Sequence, residues 1–254
     1  IKNKEIFIMK KVLFAGESWI SYSRHIKGFD SFFTAKYEEG IQWIKKSIEK
    51  AGYEFCYISN TYAAEKFPRT LEELKEYDAV FLSDIGSNTL LITNQCFAEG
   101  KTDSNRCQII KKYVEEGGSL CMIGGYMSFT GIDGTARYGQ TEIADVLPVE
   151  MLDIDDRVEA PQGLVPELIE EHEAVSGLEG EWPYLLGYNK TITKSDAKTL
   201  VKIGEDPLIA IGEYGKGKSA VFTSDCSPHW GSPAFVEWEK YDLLWKDLLD
   251  WMTK

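Results

Sequence analysis

Gly117-Gly118-Ser119-Leu120-Cys121-Met122-Ile123-Gly124-Gly125-Tyr126-Met127-Ser128 decides how this chain is read. Gly117-Gly118 stops a helix, Ser119 to Ile123 is an apolar run short enough for a buried strand, and Gly124-Gly125 marks a sharp turn into the next element. Enzymes built on such strand–turn–helix elbows carry an exposed Ser or Cys nucleophile at the tip. Here the tip is Gly125-Tyr126, and neither residue supplies a thiol or an activated hydroxyl. The stretch points to a site more clearly than to a reaction.

Working outward, the same rhythm repeats. Lys11 to Gly16, Tyr53 to Ile58 and Asp78 to Ser83 are further short apolar runs. Residues 35–50, with Tyr37, Ile41, Ile44 and Ile48 on one stripe, read as a helix stopped by Ala51-Gly52. Thr70 and Glu73 have the spacing of a capping box, and Ser104 to Glu116 is a helix. Alternating strands and helices with continuously apolar strands predict a parallel sheet covered on both faces. The second half is richer in strands. Val149 to Ile154, Tyr184 to Thr193, Lys198 to Ile203 and Pro207 to Tyr214 are candidates, and Gly215-Lys216-Gly217 turns the last of these back into Ser219 to Ser224. Residues 233–253 read as one aromatic-rich helix whose stripe belongs in the core. Residues 86–103 and 155–182 are long mixed connections, expected as insertions over a site, the first of them a candidate lid.

Bulk composition narrows the function. The chain has 254 residues, is 43% hydrophobic and has a formal net charge of −13. Nucleic acids and anionic lipid need a basic footprint, so neither is an expected partner. No run approaches the ~20 apolar residues of a membrane helix. Five cysteines in odd number and without CxxC spacing suit a reduced, cytoplasmic protein. Residues 1–8 lack the pattern of a signal peptide, and Met9-Lys10-Lys11-Val12 looks like a natural start, so residues 1–8 are read as an N-terminal extension. With three scattered His and neither HxH nor HExxH, no metal site is expected. Without GxGxxG after the first strand or GxxxxGK[ST] anywhere, no cofactor is expected.

Ligands of open parallel sheets bind beyond the carboxyl ends of the strands. Glu17, Ser18 and Trp19 follow the first strand, Asp84 the third, Gly124, Gly125, Tyr126 and Ser128 the fourth, and Asp225, Cys226 and His229 the late hairpin. His229 reads as a general base or ligand-contacting imidazole, or as a residue holding its turn. Glu17 and Asp84 would pair with it or with a ligand, or cap the elements that follow. Ser128 is a helix cap or a nucleophile. Cys226 is by position the better candidate for a reactive thiol, or an inert one for want of a base, and Cys121 is a buried structural thiol. His25 belongs to a polar loop or lid, and His172 to a solvated acidic face.

Four segments carry a resemblance: Val12-Leu-Phe-Ala-Gly-Glu-Ser-Trp19, Gly117 to Phe129, Tyr214-Gly-Lys-Gly-Lys218 and Thr223-Ser-Asp-Cys-Ser-Pro-His-Trp-Gly-Ser-Pro233. The chain from Met9 resembles the class I glutamine amidotransferase-like superfamily, in its uncharacterised cytoplasmic "putative glutamine amidotransferase" branch. The resemblance implies a three-layer, flavodoxin-like α/β fold, with a mostly parallel central sheet, helices on both faces and a β-rich C-terminal section, as a single domain over 9–254. Amidotransferases of this class carry Gly-x-Cys-x-Gly at the elbow and a late His-x-Glu pair. This chain has Gly124-Gly-Tyr-Met-Ser128 and His229-Trp-Gly231 instead. The usual covalent route to glutamine hydrolysis thus lacks its attacking group, although backbone N–H groups near Gly125 would still offer an oxyanion hole.

The leading expectation is an amidotransferase-like protein without glutaminase activity that binds a small polar ligand or a partner through Glu17, Ser18, Trp19, Asp84, Gly124, Gly125, Tyr126 and Asp225. One alternative is a hydrolase with Ser128 or Cys226 as nucleophile beside His229 and an acidic residue, Glu17 or Asp84. Another is a structural subunit whose exposed aromatics build a homo-oligomer, which seven Trp and 13 Tyr allow.

Overall fold

In the computed structural model, which describes residues 9–254, the predicted apolar runs form four adjacent strands that make up one half of an eight-stranded sheet. The strands in chain order are β1 (Lys11–Gly16), β2 (Ser18–Lys27), β3 (Asp30–Glu39), β4 (Glu54–Ile58), β5 (Ala79–Ser83), β6 (Ser119–Ile123) and β7 (Val149–Met151). They continue with β8 (Arg157–Leu164), β9 (Glu167–Leu168), β10 (Leu185–Asn189), β11 (Thr191–Thr193), β12 (Lys198–Ile203), β13 (Asp206–Tyr214) and β14 (Gly217–Phe222). The sheet order is β4-β1-β5-β6-β14-β13-β12-β9. Its first five strands are parallel, and β13, β12 and β9 extend it antiparallel. The expected β13–β14 hairpin is present, and β14 lies parallel beside β6. Tyr184 to Thr193 is two strands, β10 and β11, each in its own two-stranded sheet.

Nine α-helices lie among the described residues: α1 (Gln42–Lys50), α2 (Asn60–Lys66), α3 (Leu71–Leu74), α4 (Ser87–Leu91), α5 (Asn94–Glu99), α6 (Arg106–Glu115), α7 (Ile143–Val146), α8 (Pro233–Val236) and α9 (Tyr241–Met252). The central strands are apolar throughout because both of their faces are covered. Val12 and Phe14 of β1 join Ile44, Ile48, Leu244 and Leu248 in one core, under α1 and α9. Leu13 and Ala15 join Ala63, Leu74, Ile110 and Val114 in the other, under α2, α3 and α6. The capping box predicted at Thr70 and Glu73 starts α3. The terminal aromatic helix is interrupted: α8 begins on a Ser232 cap, and α9 resumes at Tyr241, with Leu244, Trp245, Leu248 and Trp251 buried as expected.

Two expectations need correction. Residues 35–39 are not helical; they belong to β3, paired antiparallel with β2 in a hairpin that stands apart from the main sheet. The helical stripe begins only at Ile41, and Tyr37 is exposed on the hairpin. Alternation in 18–39 is interrupted by Arg24, His25 and Phe32-Phe33, which hid the strand period. Residues 86–103 fold as α4 and α5 and do not line the strand-end cavity described below. Arg106 anchors them. Its fully buried guanidinium donates to the carbonyls of Leu90 (2.5 Å), Thr89 (3.2 Å), Ala63 (3.0 Å) and Ala64 (2.9 Å), satisfying the carboxyl ends of α2 and α4.

Candidate functional site

At the carboxyl ends of β1, β5, β6 and β14, the chain leaves the sheet in four turns that meet around one cavity. Its volume is about 440 Å³, and Glu17, Trp19, Asp84, Tyr126, Asp225, Ser227, Pro228 and His229 line it. A second hollow of similar size, about 420 Å³, lies at the opposite end of the sheet around Asp78, Gly118 and Lys216, away from these groups.

The turns after β1 and β5 are strained. Glu17 has φ 49° and Asp84 φ 46°, in the left-handed region that L-residues rarely adopt. Such outliers gather at functional sites, where the surrounding structure holds them. Glu17 is held by the Ser83 hydroxyl on Oε1 (2.6 Å) and the Ser227 hydroxyl on Oε2 (3.2 Å). Gly40 packs over it: a Cβ there would stand 2.6 Å from Glu17 Oε2 and 2.6 Å from Ser227 Oγ, so the close approach requires glycine. Burial, with Asp225 and Asp84 as like charges nearby, raises the Glu17 carboxyl well above the usual range. Asp84 is raised to about 6, first by burial and then by Asp225. Its Oδ1 accepts the Met127 N–H at 2.7 Å.

The loop after β14 supplies the other side. Asp225 Oδ1 accepts the Ser227 N–H (2.9 Å) and hydroxyl (3.1 Å), and Oδ2 stands 3.5 Å from His229 Nδ1. This carboxylate raises the His229 imidazole above its ordinary value, overcoming partial burial. The imidazole lies edge-on to Tyr126 (centroids 4.5 Å) and stacks on Trp230 (5.4 Å), with its side chain 42% exposed. Tyr126 and Trp230 are themselves fixed by Glu159 of β8, which accepts the phenol on Oε1 (2.8 Å) and the indole N–H on Oε2 (3.0 Å). Arg157 sits 5.0 Å from the centre of the Tyr126 ring.

The elbow itself is closed off. Gly125 adopts φ 149°, and a Cβ there would lie 2.7 Å from Asp84 Oδ1, so only glycine fits. Its N–H donates to Asn189 Oδ1 at 2.9 Å, and Asn189 is pinned through its Nδ2 to Asp156 (2.8 Å). The Gly125 and Met127 donors, two of those an oxyanion hole would draw on, therefore already have internal acceptors. Gly124 donates to Phe222 O and packs on the backbone of Thr223.

Of the nucleophile candidates, Ser128 is buried, donates to Ile123 O (2.5 Å) and accepts the Asp84 N–H (3.0 Å). Cys226 is fully buried with its sulfur 3.9 Å from Ser83 Oγ; burial and the nearby Glu17 raise the thiol well above its ordinary value. Neither makes a hydrogen bond to His229. Ser18 is buried and serves α2, accepting the Asn60 N–H at 2.8 Å. His172 is not on a simple solvated face: it caps a short 3₁₀ turn through Nδ1 and packs edge-on to Trp251. His25 stacks on Phe32 on the hairpin.

One group among the described residues has metal-ligand spacing: Glu17, Asp225 and Cys226 each place a ligand atom within 4.8 Å of the others. The set suits a cation poorly. Both carboxylates are already engaged by the hydroxyls of Ser83 and Ser227, and Asp225 also faces the His229 imidazole.

Ser227, Gly40, Asn189 and Glu159 were not picked out from the sequence. Ser227 carried a usable signal, two residues after Asp225 in an Asx-type turn. The other three contact the site only through the tertiary fold.

The chain belongs to the family described as "Putative glutamine amidotransferase", whose model matches residues 11–254. It is similar to a cytoplasmic protein of Salmonella typhimurium LT2 at 47% identity and TM-score 0.93, covering 96% of this chain and 100% of that one. A second cytoplasmic protein of Salmonella typhimurium is 46% identical with TM-score 0.92, covering 95% and 98%. A "Putative thua-like protein" from Bacteroides uniformis shares the fold at 14% identity and TM-score 0.54, covering 94% and 89%. No curated protein matches the sequence. Among the described residues, no helix is long and apolar enough to cross a membrane.

Proposed function

We propose that this chain is an amidotransferase-like protein of the cytoplasm, folded as one domain over 9–254, that has lost glutamine hydrolysis and binds a small polar ligand at its strand ends. The observation that carries this reading is the division of labour at the cavity. Glu17, Asp84, Asp225 and His229 converge on about 440 Å³, within the range of small-molecule sites, while the elbow's Gly125 and Met127 donors are engaged by Asn189 and Asp84. Hydrolysis of glutamine through an acyl-enzyme needs both a nucleophile and free oxyanion donors. Gly125-Tyr126 supplies no nucleophile, and these two donors are taken.

The ligand class follows from the walls. The Asp225 carboxylate, with Asp84 ionised above about pH 6, between the rings of Trp19 and Tyr126, favours a hydrogen-bond donor carrying positive charge: a small amine or amino sugar. Calorimetric titration with ethanolamine and glucosamine tests this. Binding by the wild type that Asp225→Asn weakens by about tenfold, roughly 1.4 kcal/mol, supports it. Equal affinity in both proteins, or no heat with either probe, contradicts it.

A further inference from the structure

The hairpin of β2 and β3 leaves the body as a sheet of two strands with no third. Directly opposed residues of such a pair share a face. The pairs Ile20↔Tyr37, Tyr22↔Ala35, Arg24↔Phe33 and Ile26↔Ser31 make one face apolar. The pairs Ser21↔Lys36, Ser23↔Thr34, His25↔Phe32 and Lys27↔Asp30 make the other mostly polar. The apolar face is open to solvent: Tyr22 is 74% exposed, Ile26 69% and Phe33 68%, and Phe29 at the tip is fully exposed. An isolated two-stranded hairpin is marginal in water unless something covers its apolar side.

We propose that this face is a dimer contact, on which two copies of the chain pack their arms apolar face to apolar face about a twofold axis. Three observations favour a second copy as the occupant. The first is area. Ile20, Tyr22, Ile26, Phe29, Phe33 and Tyr37 together expose roughly 800 Å² per arm, so complete cover of both arms would bury at most about 1,600 Å², and two-thirds of that still clears the roughly 1,000 Å² a specific interface needs. The second is self-complementarity. Arg24 stands in the outer half of the face, over Phe33 at 5.4 Å, and Glu39 stands at its root, opposite Ser18. Antiparallel arms related by a twofold bring the outer half of one toward the root of the other, cation toward anion, at both ends at once. The third is continuity. Ile20 and Tyr37 also line a cavity of about 410 Å³ with Tyr57, Ile58 and Tyr62, so the apolar surface runs from the arm into the body and offers a seat for the partner's Phe29. The formal charge of −13 disfavours an anionic membrane as the alternative cover.

Sedimentation equilibrium of the full chain at micromolar concentration tests the contact. The expected mass is twice the 28.8 kDa of one chain. Tyr22→Asp with Phe33→Asp is expected to give a monomer with an unchanged circular dichroism spectrum, whereas Ser23→Asp with Thr34→Asp, on the opposite face of the same arm, stays dimeric. If the apolar-face double variant does not fold, the milder Phe33→Ser carries the test, with dimerisation weakened about tenfold or more. A monomeric wild type, a trimer or larger closed ring, a dimer indifferent to the apolar face, or equal dissociation by the polar-face variant overturns the proposal.

Discussion

β6 and β14 are neighbouring parallel strands, and the segments that leave them reach the same end of the sheet with opposite chemistry. After β6, the elbow directs its polar groups inward: Gly125 N–H to Asn189, Met127 N–H to Asp84, and Ser128 to Ile123 and Asp84. After β14, Asp225 and His229 turn toward the cavity, and the imidazole keeps 42% of its side-chain surface exposed. On the proposed reading, a turn that resembles a catalytic elbow in sequence serves as a structural joint, and most of the groups offered to a ligand come from the neighbouring strand's loop. The difference teaches that a motif's position is set by fold, while its activity depends on where each donor's hydrogen bond goes.

Substitutions should separate the two segments by what they damage. The largest effect on stability is expected from Gly125→Ala. The new Cβ meets Asp84 Oδ1 at 2.7 Å in a backbone conformation that disfavours L-residues, and a loss of about 3 kcal/mol in denaturant unfolding is expected. A loss under about 0.5 kcal/mol would show that the elbow is looser than its hydrogen bonds imply.

Next comes the pH dependence of Asp84. Its folded value of about 6 lies above the ordinary 3.8, so the folded state holds this proton more tightly than the unfolded chain. The carboxyl is neutral in both states below about pH 3. As pH rises toward 6, only the folded state still holds the proton, and stability falls until the folded carboxyl ionises, by about 3 kcal/mol in all, of which about 2 kcal/mol is lost between pH 4 and 7. Unfolding of the wild type and of Asp84→Asn, compared between pH 4 and 7, should show the variant losing that slope. His229 acts in the same direction at higher pH: raised by Asp225, it contributes stability below its ordinary value of 6.5 that is lost as pH rises through its folded value. The smallest effect on stability is expected from His229→Ala, within about 0.5 kcal/mol of wild type because the ring is partly solvated, yet with weakened binding of ethanolamine. Strong destabilisation with unchanged binding would make His229 a turn-holding residue and erase the contrast.

Much of this arrangement was legible beforehand. Buried parallel strands advertise themselves as continuous apolar runs, so β1, β5 and β6, and with them the positions of Glu17, Asp84 and Tyr126, could be placed from the sequence. Asp225 and His229 followed from their place after the β13–β14 hairpin. The β2–β3 arm was not legible, because solvent-exposed strands need no clean alternation, and Tyr37 happens to fall in phase with the helical stripe of α1. The engagement of the elbow was hidden for a different reason. Asn189 and Glu159 reach it from strands far away in sequence, and no local pattern records such a contact.

Ammonia release from glutamine is the most direct measurement of whether the elbow is a joint or a catalyst. Wild type and His229→Ala assayed side by side should give the same rate, indistinguishable from protein-free buffer. Ammonia released by the wild type and lost in His229→Ala would contradict the assignment and place an active nucleophile beside that imidazole.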